Sequence, residues 1–201
     1  MKLVGLTGGI GAGKSSVSAR LAAKGAVIVD ADAIVREVQV AGTPVFEAIV
    51  ERFGPGVVGP DGELDRPALA AIVFGDPEAL KDLNALVHPA VGLEVLRRVD
   101  EQRGTDRVVV LDVPLLVESG RYQAAGVIVV DLHHDLATER LVRDRGMTED
   151  EARARMARQV SREDRLAKAD FVVDNSGPPD ALDEAVDRAW AWIATLPDEA
   201  P

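Results

Sequence analysis

Gly8-Gly9-Ile10-Gly11-Ala12-Gly13-Lys14-Ser15 fits the spacing G-x-x-x-x-G-K-[ST], and its reading decides the fold of the 201-residue chain. Lys2 to Leu6, just before it, is a short apolar run suited to a buried strand. Ser15 to Lys24, just after it, carries Val17 and Leu21 at helical spacing. Strand, glycine-rich loop and helix are the context in which this spacing has a chemical meaning. Glycines let the backbone fold back through positive φ and approach a polyphosphate, so that successive N–H groups and the positive end of the next helix converge on one anion. Gly9, Gly11, Ala12, Gly13, Lys14, Ser15 and Ser16 are the expected nucleotide contacts. Lys14 is expected to reach the β- and γ-phosphates, and the Ser15 hydroxyl to ligate the Mg2+ that bridges them. A plain turn between strand and helix would not need Lys-Ser in register with four glycines.

A chain of this length buries about 70% of its unfolded surface, enough for one globular unit with an inserted lobe. With no cysteine there is neither a disulfide framework nor a thiolate metal site. Lys2 and Gly5 interrupt any signal-peptide core, and no apolar run approaches membrane-spanning length. The formal net charge of −11 argues against nucleic-acid or anionic-membrane binding, so phosphate recognition must be local. Eight arginines fall within residues 139–165, from Arg140 to Arg165, against seven acids. No obligate protein partner is evident.

Residues 26–29, Ala-Val-Ile-Val, read as a second strand delivering Asp30-Ala31-Asp32 at its carboxyl end, the edge where open α/β sheets hold ligands. Ala31 to Val38 reads as a short helix capped by an aspartate. One cap needs one aspartate, so the pair leaves a carboxylate to orient a hydroxyl nucleophile or a magnesium-bound water.

From Gly42 to about Arg103 the pattern turns helical, over Pro44–Phe53, Pro67–Val73, Pro77–Val87 and Ala90–Arg103, punctuated by Gly-Pro and Gly-Asp turns. This is the expected inserted lobe. His88, before Pro89, is either a helix-start residue or a functional one.

Residues 107–111 form the most apolar strand and end in Asp112, a position from which P-loop proteins hold the metal's water shell; a surface Asp at a strand end is the alternative. Gly126 to Asp131 gives a further strand. Asp135 to Arg145 and Glu149 to Arg158 give two arginine-bearing helices, placing a lid at about 135–165. Most of its arginines should be ion-paired on solvated faces, with one or two left for catalysis. Ala169 to Val173 is the last strand. Asn175 after it is either a turn former tolerating left-handed geometry or a nucleotide contact, and Ala181 to Ala194 closes the chain as an amphipathic helix.

The strands alternate with helices, which implies an α/β fold, a doubly wound and mainly parallel five-stranded sheet of the P-loop NTPase type. The core is expected at about 1–41 and 104–196, with the helical lobe at about 42–103. An Asn-Lys-x-Asp base-recognition motif of GTPase switches is absent, and Asp112 is followed by Val-Pro rather than by the Glu of mechanical ATPases. A small-molecule kinase needs a phosphate loop, a carboxylate near the acceptor hydroxyl, an acceptor lobe and an arginine lid, and the chain carries all four. A kinase for another hydroxyl acceptor, such as a nucleoside or nucleotide, and a non-catalytic nucleotide-binding module are the competing readings.

The chain also resembles the dephospho-coenzyme A kinase family. The matching residues are Gly5-Leu-Thr-Gly-Gly-Ile-Gly-Ala-Gly-Lys-Ser15, Val29-Asp-Ala-Asp32, Phe53-Gly54, Asp61-Gly62 with Leu64 and Arg66, Leu83-Asn84 to His88-Pro89, Asp112-Val-Pro-Leu-Leu116 with Glu118, Arg140-Leu141, Gln159, and Ala169-Asp170 to Asp174-Asn175. The resemblance implies transfer of the ATP γ-phosphoryl to the ribose 3′-hydroxyl of dephospho-coenzyme A, with Mg2+, in the cytoplasm. It implies catalytic roles for Asp32, Lys14 and Arg140, and acceptor-side roles for Thr7, Asp32, Arg66, His88, Asp112 and Leu115. The family often has Ser then Thr where this chain has Ala12 and Ser16, and neither change removes a needed group, since Ser15 keeps the magnesium hydroxyl.

Overall fold

The computed structural model describes residues 1–113 and 124–198. Five strands, β1 (Lys2–Gly8), β2 (Val27–Asp30), β3 (Val108–Asp112), β4 (Gly126–Asp131) and β5 (Phe171–Asp174), form one sheet in the order β2-β3-β1-β4-β5. The sheet is all-parallel with helices on both sides, as the alternating pattern implied. β1 is central: Leu3 pairs in register with Val109 on one side, and Leu6 with Ile128 on the other. A strand covered on both faces must be apolar throughout, and from Leu3 to Gly8 every residue is buried.

The helices among the described residues are α1 (Lys14–Ala23), α2 (Ala31–Val38), α3 (Pro44–Phe53), α4 (Arg66–Val73), α5 (Pro77–Asp100), α6 (His134–Arg145), α7 (Glu149–Met156), α8 (Arg162–Leu166) and α9 (Pro179–Thr195). The chain divides into two compact units. One comprises Met1–Val29 and Gln102–Pro201, the other Asp30–Glu101. In the first, Val17 and Leu21 of α1 and Leu182, Val186 and Ile193 of α9 pack with Val4, Leu6, Val110, Ile128 and Val130 of the sheet. Phe171 and Trp192 add a tilted ring contact at 5.2 Å between centroids.

The second unit is built around α5, against which α2, α3 and α4 pack. Val87, Val91, Val95 and Val99 recur every fourth residue and are buried, a stripe that one continuous helix presents to its neighbours. That stripe explains a difference from the sequence reading. Pro77–Val87 and Ala90–Arg103 were expected as separate helices broken at His88-Pro89, yet α5 runs through Pro89. Proline removes one backbone hydrogen bond, but burial of the valines on both sides of it holds the helix together. The unit also begins earlier than Gly42, because α2 packs on α5. Outside that packing, Glu94 accepts from Arg97 and Arg98, and Arg98 also pairs with Glu37. These hydrogen bonds, Arg97's first, hold the Glu94 carboxyl down to about 2.

Candidate active site

The phosphate loop lies between β1 and α1, and its shape is set by Gly11 and Gly13, at φ 78° and 86°. Gly13 is the N-cap of α1 with left-handed geometry and no side-chain cap bond, and the first turn holds no acidic residue. The loop closes on itself through Ala12 N–H to the Gly9 carbonyl at 3.0 Å and Ser16 N–H to the Gly13 carbonyl at 3.0 Å. An uncapped helix start bearing a lysine and a left-handed glycine is suited to binding an anion. Lys14 donates through Nζ to Asp112 Oδ1, and Asp112 is buried at the end of β3. The expected strand-end carboxylate therefore stands at the loop lysine. Ser15 is exposed at the first turn of α1. Thr7 is fully buried in β1, in register with Val129.

Two side chains grip the loop from outside. Asn175 is buried just past β5, and its Nδ2 donates to the Ala12 carbonyl at 2.7 Å. A methyl group on Gly13 would stand 2.3 Å from that nitrogen, so the glycine is required twice, for its φ and for the close approach. The left-handed turn considered for Asn175 does not occur: among the described residues only glycines have positive φ. The backbone carbonyl of Asn175 accepts from Arg140 Nη2 at 2.8 Å, which seats Arg140 of α6 next to Gly13. On the other side Gln159 Oε1 accepts from the Ile10 N–H at 2.9 Å.

Beyond Gly9 and Ile10 a cavity of about 490 Å3 opens, lined further by Asp131, Arg153, Gln159, Arg162 and Arg165. Three of the eight arginines in residues 139–165 have carboxylate partners among the described residues, fewer than the interleaved charges led one to expect. Arg143 pairs with Asp144, Arg153 with Glu149, and Arg162 grips Asp131 through Nε at 2.8 Å and Nη2 at 2.6 Å. The Asp131 hydrogen bonds raise the Arg162 guanidinium further above its ordinary range. The five-residue α8, capped by the Ser161 hydroxyl, was not visible to helical periodicity because it is barely longer than one turn.

In the second unit, Asp30 is the N-cap of α2: its Oδ1 accepts from the N–H of Asp32 at 2.8 Å and of Ala33 at 3.1 Å. Asp32 is exposed and its carboxylate takes no part in the cap. Arg66 opens α4 and donates to Gln39 Oε1, while His88 is exposed within α5 and does not start a helix. Leu115 lies outside the described residues. No cluster of three or more His, Cys, Asp or Glu suited to a metal occurs among the described residues. A magnesium carried by phosphates needs less: the Ser15 hydroxyl and the Asp112 carboxylate are hard oxygen donors of the kind it takes alongside phosphate and water. Local reading could not find the contacts that Gln159, Arg162, Arg165 and Asp131 make at the site. Their partners lie up to 149 residues away in sequence, as Gln159 and Ile10 show.

Comparison with known proteins gives the following. The family model described as dephospho-CoA kinase matches residues 2–180. A dephospho-CoA kinase of Streptomyces avermitilis is 54% identical over 192 residues, covering 95% of this chain and 93% of that protein. One from Thermobifida fusca is 51% identical over 191 residues, covering 94% and 95%. Among solved structures, TT1252 from Thermus thermophilus superposes with a TM-score of 0.78 at 34% identity, covering 95% of this chain and 97% of that one. Dephospho-CoA kinase from Campylobacter jejuni gives 0.72 at 24% identity, covering 96% and 98%, a likeness of fold.

Proposed function

The chain belongs to the dephospho-CoA kinase family, and from that premise we infer that it transfers the γ-phosphoryl of ATP to the ribose 3′-hydroxyl of dephospho-coenzyme A, completing coenzyme A. The observation that carries this is the family match over residues 2–180, which takes in both the Gly8–Ser15 loop and the whole helical unit.

Phosphoryl transfer asks a protein mainly for positioning and charge neutralisation. Backbone N–H groups of the loop and the first turn of α1 cradle the phosphates, apart from those of Ile10, Ala12 and Ser16, which donate to Gln159, Gly9 and Gly13, and Lys14 meets the β- and γ-phosphates. Arg140, held at Gly13 by the Asn175 carbonyl, adds a second cation. The Ser15 hydroxyl and the Asp112 carboxylate are the residues that would hold Mg2+, which would supply neutralisation of the phosphate charge. Asp32, whose carboxylate the helix cap does not use, accepts the proton of the acceptor hydroxyl or orients it. Arg66, His88 and Leu115 bind the acceptor, whereas Thr7 has no exposed surface with which to meet it. No helix among the described residues is long and apolar enough to cross a membrane, and we place the enzyme in the cytoplasm with its substrates.

A purified-enzyme panel of hydroxyl acceptors with ATP and Mg2+, scored for ADP release, tests this reading. Dephospho-coenzyme A should stimulate release far above nucleosides and nucleotides. Lys14→Ala should lower that rate by about 10²–10³-fold, the usual worth of one clamp on the charge of the transition state. Equal stimulation by adenosine or by nucleoside monophosphates would reassign the acceptor.

A further inference from the structure

We propose that Arg165 contacts the transferred γ-phosphoryl group and is a catalytic residue of this kinase, an assignment that rests on the function inferred above. Of the lid arginines it is the one the fold brings against the phosphate loop at its β1 end. A methyl group on Gly9 would stand 3.1 Å from Arg165 Nη1 and 3.6 Å from its Cζ, so the guanidinium lies against the loop backbone where a side chain would otherwise be.

Its environment is suited to an anionic ligand. Arg165 is only 8% exposed, and among the described residues its guanidinium makes one hydrogen bond, from Nη2 to the Val160 carbonyl at 3.0 Å. Among the described residues no carboxylate pairs with it, whereas Arg143, Arg153 and Arg162 each have one. Burying a guanidinium without a counter-charge is costly unless a charged partner arrives. The cavity beside it is lined by Gly9, Ile10 and Arg162 and provides room for one.

The placement is also fixed. Arg165 sits on α8, whose start is held by the Ser161 hydroxyl accepting from Asp164 N–H at 3.0 Å. Three residues earlier, Arg162 grips Asp131 at the end of β4 with both sides of its fork. Arg162 is thereby a positioning residue, its charge spent on anchoring α8 to the sheet. Arg140 and Arg165 flank the loop at Gly13 and Gly9. With Lys14 and the α1 end at one side of the loop and Arg165 at Gly9 on the other, a triphosphate laid along the loop would bring its terminal phosphoryl within reach of both cations.

The test is to compare binding of ADP and of a non-hydrolysable ATP analogue, with kcat, in Arg165→Met and Arg165→Lys, each checked by a melting curve. In Arg165→Met, ADP should bind within about threefold of wild type and the ATP analogue about tenfold or more weaker, with kcat down about 10²–10³-fold. Arg165→Lys should fall between the two, and it carries the test if Arg165→Met does not fold. A wild-type ratio of analogue to ADP affinity in the folded variant overturns the assignment, as does a loss of equal factor for both nucleotides, which is what structural damage produces. The binding arm needs no acceptor. A selective loss of the analogue alongside no turnover of dephospho-coenzyme A by the wild type would refute the acceptor and keep Arg165.

Discussion

Asp30 and Asp32 stand at the start of one helix and are built for different tasks. Asp30 satisfies the first-turn N–H groups of α2, so Asp30→Ala should cost about 1 kcal/mol of stability, the ordinary worth of an N-cap. Asp32 accepts neither of those bonds. Asp32→Asn keeps its shape and removes its charge, so it should melt like wild type while kcat falls about 10²–10⁴-fold, the range for a positioned proton acceptor. Steady-state rates beside melting curves decide this. An Asp32→Asn enzyme with more than about a tenth of wild-type kcat would remove Asp32 from catalysis.

At the scale of elements, the joint between β1 and α1 depends on atoms brought from the far end of the chain. Asn175, just past β5, fills the space where a Cβ on Gly13 would sit and holds the Ala12 carbonyl. Gly13→Ala must therefore bear about 1–2 kcal/mol of left-handed strain and displace Asn175 as well. Gly25, at φ 100° with nothing within 4 Å, offers the matched control, since Gly25→Ala bears the strain alone. The stabilisation of the melting temperature by ATP should vanish in Gly13→Ala and survive in Gly25→Ala; its survival in both would mean that the Asn175 contact does not shape the nucleotide site. In the helical unit, α5 carries its own titration. The Glu94 carboxyl is lowered from 4.5 to about 2 by its arginine partners. A depressed carboxyl contributes stability that is complete above its unfolded value and is lost as pH falls from about 4.5 through about 2. The melting temperatures of wild type and Glu94→Gln should thus converge across that window, and a gap that stays constant down to pH 2 would assign the effect elsewhere.

Over the whole molecule, the architecture was legible where local pattern encodes it. The loop spacing, the apolar strands that end in Asp30, Asp112 and Asp131, and the amphipathic faces of α1 and α9 all announce themselves within a few residues. What was not legible is what long-range packing decides. The placement of β3 between β2 and β1 is one case. The passage of α5 through Pro89, secured by valines on both sides of it, is another. The site divides in the same way. Lys14 and Ser15 are declared by spacing, but nothing around Arg165 distinguishes it from its neighbours until the fold sets it against Gly9. The net charge of −11 belongs to this scale too, and it makes the cations at the loop a local exception in an acidic molecule. The measurement that bears most directly on the account is the identity of the product. Purified enzyme is incubated with ATP, Mg2+ and dephospho-coenzyme A, and the phosphorylated product is resolved by phosphorus NMR and mass. One added phosphate is expected, on the ribose 3′-oxygen, formed in step with ADP. A phosphate at any other position, or ADP release that dephospho-coenzyme A does not stimulate, would contradict it.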